Sequence, residues 1–335
     1  MTLLTTTDHH GIRLPSIGIG TWPIGGPYWT DDEPTGWGGP LDDEDSVNGL
    51  RLAIENGLTH IDTADAYGHG RSERLVARAI SDCRSDQVIA SKVGFVATSA
   101  PSVYSPENIR FQLEQTLRNL GVESVDIYYA HQCDFGPNDV FLSPAVEEFE
   151  HLKSEGLIRS IGLSGYSASD LIRIASALKP DFIQSWASIE HPEFILGDGQ
   201  LASYMLENDI RFIAMMPFGQ GRLLGKYDPK NPPSFEPGDC RMGNFEFSDE
   251  SLALLEPRLE ILREHFGYKP SDLITPALGF LLKHPVVISV VPGFRNTSQV
   301  YDLLQATSKS YSDADHAVVN KAFPFTERHQ HPWSE

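Results

Sequence analysis

Four side chains of this 335-residue sequence have types suited to moving a proton: Asp62, Tyr67, Lys92 and His131. Each stands at or just beyond the end of a short apolar run. The runs are His60-Ile61-Asp62-Thr63-Ala64-Asp65-Ala66-Tyr67-Gly68, Ala90-Ser91-Lys92-Val93-Gly94 and Tyr128-Tyr129-Ala130-His131-Gln132. Burying an ionisable group is costly unless it is paired. Three successive runs ending in such groups therefore predict that the groups meet. A tyrosine hydroxyl titrates at about 10 in water, too high for efficient proton donation at neutral pH. An ammonium beside it favours the phenolate and lowers that value. A carboxylate keeps the ammonium charged and oriented, and a neutral imidazole can donate a hydrogen bond to a carbonyl oxygen. Asp62, Lys92, Tyr67 and His131 suit these four roles. Taken singly, each has a plainer reading as an ion pair or a packed core residue. The combination on successive runs is what carries the expectation.

The elements that would position these groups are legible as a repeating pattern. Eight β-rich apolar runs cover 16–22, 59–63, 88–93, 125–131, 160–164, 182–188, 211–218 and 287–292. They are mostly continuous rather than alternating, as parallel strands buried on both faces are. Helical patterns lie between them, at 45–56, 72–80, 106–120, 144–154, 167–178, around Tyr204, at 271–283 and at 296–306. Ser105 is read as the cap of the helix that opens at Pro106 and ends before Gly121. Strand then helix, repeated in this way, predicts a (β/α)8 TIM barrel, a single α/β domain over residues 1–335. An open doubly wound sheet would want a GxGxxG turn after its first strand, which the sequence lacks. Two insertions, 23–43 and 219–250, follow the first and seventh strands. They are expected as long loops on the C-terminal face, where such a fold builds its site. An extra helix is read around 252–266.

Composition narrows the function classes. The net charge of −20 argues against nucleic acid and anionic membranes as partners. No apolar run approaches the roughly 20 residues of a membrane helix, and the first residues lack a secretory pattern. The three cysteines, Cys83, Cys133 and Cys240, form no CxxC spacing. A reducing, cytoplasmic setting is expected, with no disulfide framework. The His9-His10 pair and the His329-Gln330-His331 segment are read as solvated, so no metal is expected.

With these residues in place, the sequence resembles the aldo-keto reductase superfamily, in order over about residues 14–305. The segment Asp62-Thr63-Ala64-x-x-Tyr67-Gly68-x-Gly70-x-Ser72-Glu73 is similar to the family signature, and residues 153–164 to another family block. The resemblance implies NADPH-dependent reduction of an aldehyde, ketone or keto-sugar. Tyr67 would be proton donor, Lys92 held by Asp62 would lower the Tyr67 pKa, and His131 would orient the carbonyl. It further implies that Gly20, Thr21, Trp22 and Asp62 line the nicotinamide side, and that Ser164 and Gln184 bind its carboxamide. Pro217, Phe218, Gly219 and Gly221 would cover the pyrophosphate. Pro292, Gly293, Phe294, Arg295, Gln299 and Asp302 match the adenosine end. A guanidinium suits phosphate geometry, so Arg295 favours NADPH over NADH. Three positions depart from the family pattern: Gly165 stands for an Asn, Met215 for an aromatic residue on the nicotinamide, and Leu303 for an Asn at the adenine. His69, Trp29, Trp37, Cys133, Asp134 and Phe135 are candidate neighbours of the substrate. Alternative readings are a nicotinamide-binding regulatory subunit with little turnover, or a related dehydrogenase or C=C reductase. Substrate identity and oligomeric state are not legible.

Overall fold

The structure is a computed structural model that describes residues 1–30, 32–81 and 87–324. Cys83 and the histidines at 329 and 331 lie outside the described residues. The strands are β1 (Thr6–His9), β2 (Ile12–Pro15), β3 (Ile19–Gly20), β4 (Trp29–Thr30), β5 (Glu33–Pro34) and β6 (His60–Asp62). They continue with β7 (Val88–Val93), β8 (Val125–Ala130), β9 (Ile158–Ser164), β10 (Phe182–Trp186), β11 (Arg211–Met215) and β12 (Val287–Val291). The helices are α1 (Asp43–Glu55), α2 (Arg71–Ile80), α3 (Pro106–Leu120), α4 (Leu142–Ser154) and α5 (Ala168–Leu178). After them come α6 (Gln200–Glu207), α7 (Asp249–Phe266), α8 (Ile274–Leu282), α9 (Thr297–Thr307) and α10 (Asp313–Ala322).

Eight parallel strands run β3-β6-β7-β8-β9-β10-β11-β12. The seam closes through Gly18 N–H to Val290 O and Gly20 N–H to Pro292 O, both 2.9 Å, and a return bond from Val290 N–H to Ser16 O. The expected (β/α)8 barrel is therefore the fold. Gly18 is demanded at the seam, since a Cβ there would lie 2.5 Å from the His60 carbonyl oxygen.

The hairpin β1–β2 plugs the N-terminal end of the barrel. Its Ile12 and Leu14 pack against Val88, Ile127, Phe182, Ile213 and Ile288 from inside the strands. A second, larger apolar layer fills the space between the sheet and the helices. Side chains cap α1 and α5 directly, and at α3 the expected cap does not bond. Asp42 accepts from the N–H groups of Glu44 and Asp45, and Ser167 from Asp170 N–H. Ser105 stands at the cap of α3 without bonding it. Its hydroxyl accepts instead from Ser102 N–H at 3.1 Å. The hairpins β1–β2 and β4–β5 and the helix α10 were not expected from the sequence. The signal for α10 was present: Ser312 and Asp315 form a reciprocal capping box.

His60 lies fully buried in the barrel interior. Ser289 donates to Pro15 O at 2.8 Å, so His60 Nδ1–H must donate to Ser289 Oγ at 3.0 Å. Nε2 keeps its lone pair with no partner among the described residues. Burial lowers this imidazole to about 4. The unfolded chain, titrating at about 6.5, binds a proton in the window between these values that the folded chain refuses. Stability from this residue is present above the unfolded pKa and is lost as pH falls toward the folded one. The loss should total about 3 kcal/mol. Urea denaturation at neutral pH and near pH ~4.5 checks this, and His60→Gln should flatten the difference.

Candidate active site

The C-terminal ends of β6, β7 and β8 bring Asp62, Lys92 and His131 together, and Tyr67 enters from the loop after β6. Lys92 is fully buried. Its ammonium donates to Asp62 Oδ1 at 2.6 Å, Thr63 O at 2.8 Å and the Tyr67 hydroxyl at 3.3 Å. All three N–H donors of the ammonium are thus engaged. Asp62 is held in turn from two sides. Gln184 Nε2 donates to its Oδ2 at 2.7 Å. Thr21 gives both its N–H and its hydroxyl to the Asp62 carbonyl, at 3.0 and 2.9 Å. The ring of His131 meets that of Tyr67 edge-on, with centroids 5.9 Å apart.

The electrostatics follow from this packing, with one reversal. Burial and the Lys92 charge hold His131 well below its ordinary value, so the imidazole is neutral. Burial lowers Lys92, and the Asp62 carboxylate opposes that shift. The Tyr67 hydroxyl is pushed well above its ordinary value by burial and by the Asp62 charge. The sequence reading expected the opposite direction. Two physical reasons account for the difference. The Lys92 charge is compensated at closer range by Asp62 than it reaches Tyr67, and a phenolate there would have little water around it. Tyr67 consequently keeps its proton at neutral pH, available for donation.

Asp62, Tyr67 and His131 line a cleft of about 350 Å³ on the C-terminal face, with the Lys92 ammonium buried behind them. Gly20, Trp22, Pro217, Phe218 and Gly221 line it, with Gly293, Arg295, Gln299 and Asp302 at one end. Of the expected cofactor contacts, Thr21, Ser164, Gln184 and Gly219 are not among its lining residues. Thr21 acts on Asp62 instead. Ser164 and Gln184 lie directly behind the floor, and each carries a buried oxygen without a hydrogen-bond partner among the described residues: Ser164 Oγ and Gln184 Oε1. Native proteins rarely leave such atoms unsatisfied. An amide group lying over them would satisfy both, so the residues present fit a nicotinamide carboxamide. Because the Ser164 hydroxyl has no protein partner to lose, Ser164→Ala should leave stability unchanged. It should weaken dinucleotide binding by about tenfold, the worth of one hydrogen bond. Fluorescence titration beside thermal melting separates the two effects.

Gly165 has its own local reason. A Cβ there would fall 2.7 Å from Cys133 Sγ and 3.0 Å from Leu171. The thiol fills the volume that a side chain at 165 would need, and burial raises its pKa to about 12, leaving it an inert packing group. Cys133 is thus a wall of the core rather than a substrate neighbour. Phe135 is fully buried, stacked on Tyr104 at 4.0 Å. Asp134 closes a turn by accepting from Gly136 N–H. His69 packs edge-on against Tyr28, and Trp29 is half exposed beside Gly238. Of the candidate substrate neighbours only Trp37 lines the cleft. Tyr28, Phe95, Tyr166, Lys226, Tyr227 and Arg241 line it too and were not expected. Most sit in the two insertions or in loops with no motif to mark them.

The described residues of the two insertions are fastened to each other. Gly36 pairs with Asp239 as a parallel bridge. Gly38 N–H donates to Asp239 Oδ2 at 2.9 Å. The Arg241 guanidinium lies 3.9 Å over the Trp37 ring and 4.3 Å over Phe235, and grips Asp239 through Nε and Nη2 at 2.9 and 2.7 Å. Arg295 donates to the carbonyl oxygens of Gly38, Gly39 and Pro40 at 2.8 to 3.3 Å. Beneath this bridge, the Trp22 indole donates to the Tyr28 hydroxyl and the Thr35 carbonyl, both at 3.1 Å. An aromatic wall thereby stands beside Tyr67.

Among known proteins, the model of the Aldo/keto reductase family matches residues 16–323. The chain is 28% identical over 338 residues to the NADH-specific methylglyoxal reductase of Escherichia coli (strain K12), covering 97% of this chain and 98% of that protein. It is 30% identical over 299 residues to an uncharacterized oxidoreductase of Mycobacterium tuberculosis (strain ATCC 25618 / H37Rv), covering 88% and 84%. In structure it is similar to a glycerol dehydrogenase from Gluconobacter oxydans. The TM-score is 0.75 at 23% identity, over 98% of this chain and 97% of that one.

Proposed function

This chain belongs to the aldo/keto reductase family, whose members are NAD(P)H-dependent oxidoreductases, and we propose that it reduces a small-molecule carbonyl to an alcohol with Tyr67 as proton donor. The observation that carries this reading is the buried Lys92 ammonium, shared between Asp62 at 2.6 Å and Tyr67 at 3.3 Å, two residues that line the cleft. When bound, the reduced nicotinamide supplies the hydride. Every other part of the chemistry falls to the chain. Ser164 and Gln184 would hold the carboxamide through oxygens that have no partner among the described residues. Tyr67 gives its proton to the carbonyl oxygen as negative charge gathers there. The Lys92 N–H already aimed at the Tyr67 oxygen then stabilises the phenolate left behind. His131, neutral and with Nδ1 buried and unpaired, presents its other nitrogen to the substrate oxygen as a donor. Asp62, fixed by Gln184 and Thr21, keeps Lys92 charged through the cycle.

The finer assignment is NADPH. Lys226, Arg241 and Arg295 gather three cations along the cleft wall of a chain with net charge −20, and Arg295 would reach the 2′-phosphate. NADH is the second reading. It is favoured by the Arg295 guanidinium, whose donors already serve three backbone carbonyls, and by the name of the Escherichia coli relative. The purified chain should consume a reduced nicotinamide cofactor with a panel of aldehydes, ketones and keto-sugars. The ratio of kcat/KM for the two cofactors then decides between them. Tight dinucleotide binding without turnover on any carbonyl would overturn the reductase reading.

A further inference from the structure

The end of the barrel opposite the cleft carries a cluster that plays no part in carbonyl reduction. The hairpin β1–β2 turns through His10 and Gly11, with φ of +50° and +79°, the left-handed pair of a two-residue hairpin turn. Along a strand, consecutive side chains would point to opposite faces. The left-handed turn swings His10 back instead, so that its ring meets His9 edge-on at 4.1 Å. The turn is anchored by Arg159, which donates to Gly11 O at 2.9 Å. Opposite the two rings stands Asp209, in the turn between α6 and β11 and also left-handed at φ +54°. Its Oδ2 lies 3.4 Å from His10 Nε2. One ligand atom from each of His9, His10 and Asp209 lies within 4.8 Å of the others.

We propose that His9, His10 and Asp209 form a site for a divalent transition-metal ion of the zinc type, bolting the hairpin plug to the α6–β11 turn. His9 is the prepared member. It is buried, with its ring edge on Phe182 at 5.3 Å. Its Nε2 lies 3.2 Å from the Asp181 carbonyl, which can only accept, so the proton sits on Nε2 and the lone pair on Nδ1. A ligating histidine that gives its other N–H to a backbone carbonyl is the usual supporting arrangement in metal sites. His10 and Asp209 are half to mostly exposed and free to close the remaining distance. Two imidazoles and one carboxylate form a donor set suited to zinc, nickel or copper rather than to calcium or magnesium. A water completes a tetrahedron. The facing charges are Arg211, 3.2 Å from Asp209 Oδ1, and Asp181, whose carboxylate is taken by Ser160 and Lys153. Arg211 opposes a cation, so a modest affinity follows. The site lies away from the nicotinamide cleft, so it stands or falls apart from the reductase reading.

The test uses the full chain. Zn²⁺ is titrated calorimetrically, and Co²⁺ is followed by its visible ligand-field absorption. One equivalent should bind, with the intense Co²⁺ band of a four-coordinate site and a Zn²⁺-dependent rise in Tm. His10→Ala and Asp209→Asn alter exposed side chains and should each weaken Zn²⁺ by roughly tenfold or more. They should also reduce the Tm rise at a fixed Zn²⁺ concentration. A chain carrying His329→Ala and His331→Ala should bind as the parent does. Absence of saturable binding below about millimolar metal (weaker than about 4 kcal/mol) overturns the proposal. So does binding that neither His10→Ala nor Asp209→Asn disturbs.

Discussion

Tyr67→Phe is expected to lower kcat for carbonyl reduction by about 10²- to 10⁴-fold, the usual worth of a positioned proton donor. Dinucleotide Kd should stay within a few fold. The substitution removes one hydroxyl from a ring whose other contacts, edge-on to His131 and beside Trp22, remain. It also frees one N–H of Lys92, whose bonds to Asp62 and Thr63 persist. The fold should therefore hold, and far-UV circular dichroism should match the parent. Stopped-flow measurement of hydride transfer separates the chemical step from product release. A variant that keeps its single-turnover rate would remove Tyr67 from the mechanism. A variant that loses binding and rate together would make it a packing residue instead.

The largest expected effect on stability comes from the ion pair beneath it. Lys92 has no exposed surface and Asp62 almost none. Removing one partner strands the other charge in a low-dielectric interior, which costs about 3–5 kcal/mol. Lys92→Met and Asp62→Leu should each show a loss of that size in chemical denaturation. The double variant should lose much less than the sum, because no charge is left unpaired. Asp62→Leu carries an added penalty, since Gln184 Nε2 loses its acceptor. All three variants should be inactive, so the denaturation midpoints, not the rates, are the informative reading. Additive losses would mean that the two side chains act separately and that the 2.6 Å contact contributes little.

Much of this was readable before any coordinates. The strands announced themselves because both faces are buried, so their residues are apolar without alternation. Asp62, Lys92 and His131 stood out as ionisable groups where apolar runs end, and the structure joins Asp62 and Lys92 with Tyr67. What the sequence could not give depends on distances between remote segments. The direction of the Tyr67 shift turns on how deeply the folded chain buries its hydroxyl and on the Asp62 charge beside it. The role of Thr21 turns on a carbonyl at Asp62, not on a ligand. Cys133 and Gly165 are complementary only because β9 and the loop after β8 meet there, a contact no spacing rule predicts. Arg241 carries no motif, yet it closes the cleft wall by stacking on Trp37, 204 residues earlier in the chain. Asp209 lies far in sequence from the His9-His10 pair that it faces. Read alone, that pair looked solvated, whereas His9 is buried.

The mutual fastening of the two insertions has a kinetic consequence. Trp37, Asp239 and Arg241 join loops that rise on either side of β12, so a molecule seated beneath them is not held by its own contacts alone. Where its exit requires the fastening to part, its residence time is bounded by how often that happens. Loop openings of this kind fall in the microsecond-to-millisecond range or slower. Once chemistry outpaces that frequency, a more reactive substrate brings no further gain in turnover. Substrates of very different intrinsic reactivity would then converge on a common maximal rate, set by the clasp rather than by the carbonyl.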